Sequence, residues 1–260
     1  MSQDERAAFD EALQRARHAA YPEGEYVGQE SFMSAREIRS LARQAGIGAG
    51  TSVLDVCCGG AGPGRLITAE LGCDYLGVDA DPSAVELARQ RAGDLPCRFE
   101  VAHVPPVPSG LFDAVLLLET LLAFPDKGTL LRGIASALPP TGGRFGFTVE
   151  EGAPLTSDEQ AAMPYADTVM LIPLPHLITD LQSAAVDVRW MAECSRSHRA
   201  TADALAQAFL ADRRAISKKI GDRALDDLVT AHRLWSEWLG SGRVRKFAVV
   251  AEKTADSARD

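Results

Sequence analysis

Val53-Leu54-Asp55-Val56-Cys57-Cys58-Gly59-Gly60-Ala61-Gly62-Pro63-Gly64 is a short apolar run that breaks into glycines. The run has strand length. Glycines after a first strand let a ligand approach the backbone where a side chain would collide. Three cofactor classes use such a loop, so the neighbours must decide. A nucleoside triphosphate site ends in Gly-Lys-Ser/Thr to hold phosphates and magnesium. Here Pro63-Gly64-Arg65 stands in that place. A dinucleotide site needs GxGxxG at a helix N-terminus facing a pyrophosphate. Gly60-Ala61-Gly62 supplies the GxG, but Arg65 stands where the last glycine belongs. Asp55, where the strand enters the loop, repels a pyrophosphate and favours a ligand bearing an ammonium and a sulfonium, the charges of S-adenosylmethionine (SAM).

Outward from this loop the chain alternates. The pattern predicts strands over 52–57, 74–79, 98–102, 112–119 and 143–150, and helices over 65–71, 82–92 and 127–138. Asp81 reads as a helix cap, with Pro82 at the first helical position. Residues 114–118 are continuously apolar, as suits a strand buried on both faces. Alternating strands and helices with short connections predict a Rossmann-like, doubly wound, mostly parallel sheet of seven strands. Upstream, helices are expected over 4–19 and 34–45, the second opened by a Ser34–Glu37 capping box. Downstream, the four prolines between 152 and 175 read as an irregular insertion. Beyond it the pattern predicts helices over 176–184, 200–217 and 222–239, and strands over 186–193 and 244–252. The division expected is an N-terminal helical cap (1–46), a core (47–150), and a stretch over 151–254 that adds lid elements and completes the same domain. The final TADSARD reads as a disordered tail.

Asp79 closes the second strand, 20 residues after Gly59. At that spacing a carboxylate can accept hydrogen bonds from ribose hydroxyls, and two acids at adjacent strand ends share one mouth. The plainer alternative for both is capping and solvated loop acids.

VLDVCCGGAGPG followed by YLGVDADPSAVELAR resembles the first two motifs of class I SAM-dependent methyltransferases. LFDAVLLLETLLAFPDKGTLLRGIASALPPTGGRFGFT resembles the same family's fourth strand, following helix and fifth strand, with PPTGG for the common KPGG. The likeness covers roughly residues 50–150. It implies SAM as cofactor, bound by Asp55, Cys57, Gly59, Asp79 and Ala80. Cys57 stands where the family's first glycine usually lies. The usual acidic contact to adenine is missing after the third strand, where His103 is a candidate or a plain loop histidine. Tyr21–Phe32 resembles the cap of small-molecule members, which places Tyr26, Gln29 and Ser31 at the methionine end, or else forms a surface loop. Glu119, after the fourth strand, is the candidate base, cofactor contact or ligand for a substrate cation. Its alternative is a capping carboxylate. His176 is a weaker candidate base. Trp190, Trp235 and Trp238 are expected to pack in the core.

The function implied is methyl transfer to a small molecule of specialised metabolism. The alternatives are a cyclisation or rearrangement on the same fold, or a non-catalytic SAM-binding module. A formal charge of -9 and a pI near 5.1 argue against a nucleic-acid partner. Five cysteines without CxxC spacing indicate neither a metal site nor a disulfide framework. With no apolar leader and no run of membrane length, the expectation is a cytoplasmic protein without a membrane partner. The sequence does not separate a monomer from a homodimer.

Overall fold

Apolar residues on successive positions of the central strands oblige both sheet faces to be covered. Seven strands form one sheet: β1 (Ser52–Val56), β2 (Asp74–Asp79), β3 (Cys97–Val101), β4 (Ala114–Leu117), β5 (Arg144–Glu151), β6 (Val186–Glu193) and β7 (Arg245–Lys253). Their order is β3-β2-β1-β4-β5-β7-β6. The first five pair in parallel, and β7 runs antiparallel between β5 and β6. The computed structural model describes residues 13–254. Most of the final tail and the start of the first expected helix lie outside them.

The chain is helical over 13–20 (α1). Nine further helices follow among the described residues: α2 (Ala35–Gln44), α3 (Gly62–Leu71), α4 (Pro82–Ala92), α5 (Lys127–Ser136), α6 (Ser157–Ala162), α7 (Leu174–Ser183), α8 (Ser195–Ala211), α9 (Arg213–Ile220) and α10 (Asp222–Ser241). On one sheet face, Val53, Tyr75, Leu116 and Val250 meet Ile38 and Leu41 of α2, Ile67 of α3 and Val85 of α4. On the other, Leu54, Val115, Phe145 and Phe147 meet Leu131 and Ile134 of α5 and Leu177 of α7. Phe145 and Phe147, two apart on one strand, share a face and stack with ring centres 4.4 Å apart. Each such fully buried side chain contributes about 1.5–3 kcal/mol.

A second core joins the first described residues to the helices that follow β6. Leu13 and Tyr21 pack with Leu205 and Phe209 of α8, Ile216 of α9, and Leu225 and Val229 of α10. The expected cap over 1–46 is therefore divided. α1 belongs with the C-terminal helices, whereas α2 packs on the sheet.

Other boundaries move for local reasons. The strand expected to reach Glu119 stops at Leu117, because Glu119 turns into the left-handed region with φ 64°. α3 starts at Gly62, three residues early, with Pro63 in its first turn. The single helix expected over 200–217 breaks at Asp212, which ion-pairs with Arg15 of α1. The insertion expected to be irregular carries α6, opened by a Thr156–Glu159 capping box. Trp238 is buried against Leu155 and Val244, with Trp235 beside it, and Trp190 packs on the sheet core. No helix among the described residues is long and apolar enough to cross a membrane.

Candidate active site

After β1 the chain passes to α3 on one face of the sheet, and after β4 to α5 on the other. These neighbouring strands mark the topological switch point, where open α/β sheets bind ligands. A cavity of about 210 Å³ opens there. Its floor and walls are Asp55, residues 57–63, Asp79 and residues 118–120, and residues 28–31 roof it.

The two strand-end acids differ in environment. Asp79 is fixed by two backbone donors, the N–H of Gly59 and that of Asp81, both at 2.9 Å. A carboxylate has about four lone-pair positions, so acceptor capacity remains for hydroxyls. Asp55 is buried and accepts a 2.5 Å hydrogen bond from the Tyr75 hydroxyl. Burial, with the nearby Asp79 charge, pushes its carboxyl up to about 7 despite that bond. Asp55 is thus an acid whose ionised form wants a cation. Gly64 makes room for the arrangement, since a Cβ there would overlap the Tyr75 ring.

The backbone around this cavity is strained. Five described non-glycine residues have left-handed φ, and three of them, Cys57 (61°), Ala61 (56°) and Glu119 (64°), line it. Such conformations cost of order 1–3 kcal/mol each and gather where function holds them. At Cys57 the backbone takes a conformation that a glycine would adopt without this cost.

Behind Glu119 lies a chain of buried charge. Lys246 of β7 is 2% exposed, and its Nζ lies 2.9 Å from Glu119 Oε1 and bonds Glu150 Oε1. Glu150 and Lys246 face each other across the β5–β7 ladder. Burial favours the neutral acid at Glu119, but Lys246 and His198 outweigh it and hold the carboxyl below its usual range. Burial and the Glu119 charge hold Glu150 above its usual range. Glu119 Oε2 also accepts from the Phe32 N–H at 3.3 Å, and its own N–H donates to Thr148 Oγ1 at 2.7 Å. So held, Glu119 is a negative charge on the cavity wall.

His198, fully buried, lies 3.5 Å from Glu37 and 4.0 Å from Glu119, at ion-pair rather than hydrogen-bond contact. Burial opposes its charge, yet the two glutamates raise the imidazole to about 10. A group raised in the folded state stabilises fully below its unfolded value, near 6.5. That contribution is lost as pH rises through the folded value. Urea unfolding is therefore expected to show stability falling between pH 6.5 and 10, by up to about 1.4 kcal/mol per pH unit. His198→Gln should flatten that limb. An unchanged limb would contradict the ion-pair role.

Glu37, Cys194 and His198 bring ligand-type atoms within 4.8 Å of one another, a grouping the cysteine spacing did not reveal. Glu37 is already engaged by Ser34 and Ser197, and Cys194 by the Lys246 carbonyl. The group is thus tied into the hydrogen bonding of the charge chain.

The structure brings Gln29, Ser31, Asp55, Cys57, Gly59, Asp79 and Glu119 to one cavity. Gln29 lies in its roof. Its side chain braces the roof, accepting from Val27 N–H at 2.6 Å and donating to the Glu25 and Met33 carbonyls. Tyr26 does not line the cavity; it packs on Tyr21 and His18 in the helical core. Ala80 follows Asp79 but is not on the wall. His103 is exposed and outside the cavity, as is His176 in the first turn of α7. Sequence reading missed Lys246, His198 and Thr148. Lys246 left one signal, a charge at the edge of the apolar run Phe247–Ala251.

Comparison with known proteins meets this geometry at the same residues. A family model described as a methyltransferase domain matches residues 53–142. Residues 53–142 form a methyltransferase domain. Within 96 residues, 36% of this chain, the sequence is 31% identical to the 2-methyl-6-phytyl-1,4-hydroquinone methyltransferase of Synechocystis sp., covering 30% of that protein. The chain spans about a third of that relative's length. Over nearly the whole chain the fold resembles the cyclase SpnF (TM-score 0.73, 18% identity, 96% of this chain and 97% of that one). It also resembles phosphoethanolamine N-methyltransferase 2 of Haemonchus contortus, solved with S-adenosylhomocysteine (TM-score 0.75, 17% identity, 95% and 60%). At these identities the structural likeness concerns the fold.

Proposed function

We propose that the methyltransferase domain binds SAM in the switch-point cavity and that the protein methylates a small-molecule acceptor, in specialised metabolism and in the cytoplasm. The observation that carries this is the pair of acids, Asp55 and Asp79, at adjacent strand ends beneath one roof. The residues fit the group. Asp79, fixed by two amides, is placed to accept from ribose hydroxyls. Asp55, pushed up to about 7, is placed to gain its charge beside an ammonium or sulfonium. Gly59, with φ 53° and nothing within 4 Å of a Cβ position, leaves the ligand room at the backbone. When bound, SAM supplies an electrophilic methyl on a positively charged sulfur.

The protein's own residues then align and exclude water, the main sources of rate in an in-line displacement. The roof over residues 28–31 shields the cavity. Glu119, ionised by Lys246, places negative charge on the wall opposite a cationic centre.

Calorimetry with SAM tests this. Wild type is expected to bind, and Asp79→Ala to bind roughly 10- to 100-fold more weakly, the worth of hydrogen bonds to a charged acceptor. No binding by folded wild type overturns the reading. Formation of S-adenosylhomocysteine in the presence of an acceptor distinguishes methyl transfer from a cyclisation or rearrangement that keeps the cofactor intact.

A further inference from the structure

A second cavity, of about 250 Å³, adjoins the first and shares Gln29, Glu30 and Ser31 with it. It lies within the helical core formed by α1, residues 21–32 and the helices that follow β6. Tyr21, Phe32, Leu205 and Leu228 give it an apolar, partly aromatic wall, and Arg17 and His232 are its basic members. A cavity of 150 Å³ holds a benzene ring, so this space suits a substituted single ring.

His232 is held in one tautomer. Nδ1 lies 2.7 Å from the Leu228 carbonyl oxygen, which can only accept, so Nδ1 carries the proton. The neutral ring's remaining lone pair is on Nε2. Phe32 and Phe209 clasp the imidazole edge-to-face, at 5.5 and 5.2 Å between centres. Burial and the Arg17 charge press its basicity down to about 4, so it stays neutral near pH 7. The titratable groups facing it are Arg17 from α1, and Tyr21 and Glu30 from the segment before α2. Arg17 and Glu30 lie 3.7 Å apart.

Resting on the methyltransferase reading, we propose that this second cavity receives the methyl acceptor, a small phenol, and that His232 Nε2 takes the phenolic proton. A phenol fits better than an aliphatic alcohol, because a weak base needs an acidic hydroxyl and the wall is aromatic. As the O–H proton passes to Nε2, an oxygen lone pair forms the new C–O bond. The methyl–sulfur bond breaks and its electron pair returns to sulfur. The imidazolium later releases its proton to water. Arg17 steadies the developing phenolate.

The test uses the full chain saturated with S-adenosylhomocysteine, titrated with phenol, catechol and guaiacol. His232 ring nitrogens are followed by long-range proton–nitrogen NMR. The expected result is a shift of Nε2 with at least one probe, abolished by Leu228→Trp, which fills the cavity and leaves S-adenosylhomocysteine affinity within about threefold. With SAM, His232→Gln should lower kcat for that probe by about 100-fold or more. KM should change little, and activity should recover as pH rises towards the phenol's own ionisation near 10. A merely structural role would not produce that recovery. Probe binding that leaves Nε2 unmoved, or that survives Leu228→Trp, overturns the proposal, as does the absence of any response to all three phenols. Failure of folded wild type to bind S-adenosylhomocysteine instead removes the methyltransferase reading beneath it.

Discussion

Lys246→Met is expected to lower the unfolding free energy by about 3–5 kcal/mol, the cost of leaving a buried partner charge uncompensated. Lys246 is the cation between two carboxylates, the buried Glu150 and the mostly buried Glu119. Without it, both acids must take up protons or draw in water. The methionine fills the same space, so lost packing contributes little. Thermal unfolding should register a fall of roughly 10 °C for a chain of this size. Glu150→Gln with Lys246→Met should recover part of the loss, since removing one stranded charge is cheaper than keeping it. A loss below about 1 kcal/mol would mean that the three groups are not a charge cluster in solution.

Gly62→Ala is expected to weaken SAM binding by about 100-fold, the scale of a misplacement near 1 Å. Gly62 opens α3, where alanine is the better helix former by about 1 kcal/mol. Its Cβ, however, would sit 2.5 Å from Gly28 C, 2.6 Å from Gln29 N and 2.7 Å from Gly28 O. These are backbone atoms of the roof and cannot rotate aside as a side chain could. The roof must lift or α3 must shift, at a stability cost of about 1–3 kcal/mol. Calorimetry reads the affinity and thermal melting the stability. Wild-type affinity in the variant would show that residues 28–31 do not need to seat on α3.

The parts of the site that could be read in sequence are those whose geometry is local. Asp55, the glycines and Asp79 are fixed by one strand–turn–helix unit and the next strand, so their spacing carries the geometry. The capping box at Ser34 is legible for the same reason. Lys246 is different. Arg245 and Lys246 are adjacent, and the pleat sends one inward and one outward. Nothing in the dipeptide says which. That choice is fixed by register against Glu150, 96 residues earlier. His232 is likewise one polar residue on an amphipathic helix until α1, α8 and residues 21–32 close around it. Glu119 was legible as a carboxylate at a strand end, but its protonation depends on those distant partners. His176 and His103 drew notice for their residue type, and nothing in the fold turns them toward the cavity.

The antiparallel placement of β7 has a consequence for synthesis. β7, the last of the described strands, is inserted between β5 and β6, so β6 has no neighbour to pair with until β7 has left the ribosome. The nascent chain must carry Glu119 and Glu150 without their cation, and β5 with one edge open, while some hundred residues are added. Long-range pairings of this kind form slowly and expose strand edges that invite aggregation. A chain cut short before Arg245 lacks the strand that neutralises its site and seals its sheet, so truncated products are poor candidates to persist as folded, half-active species.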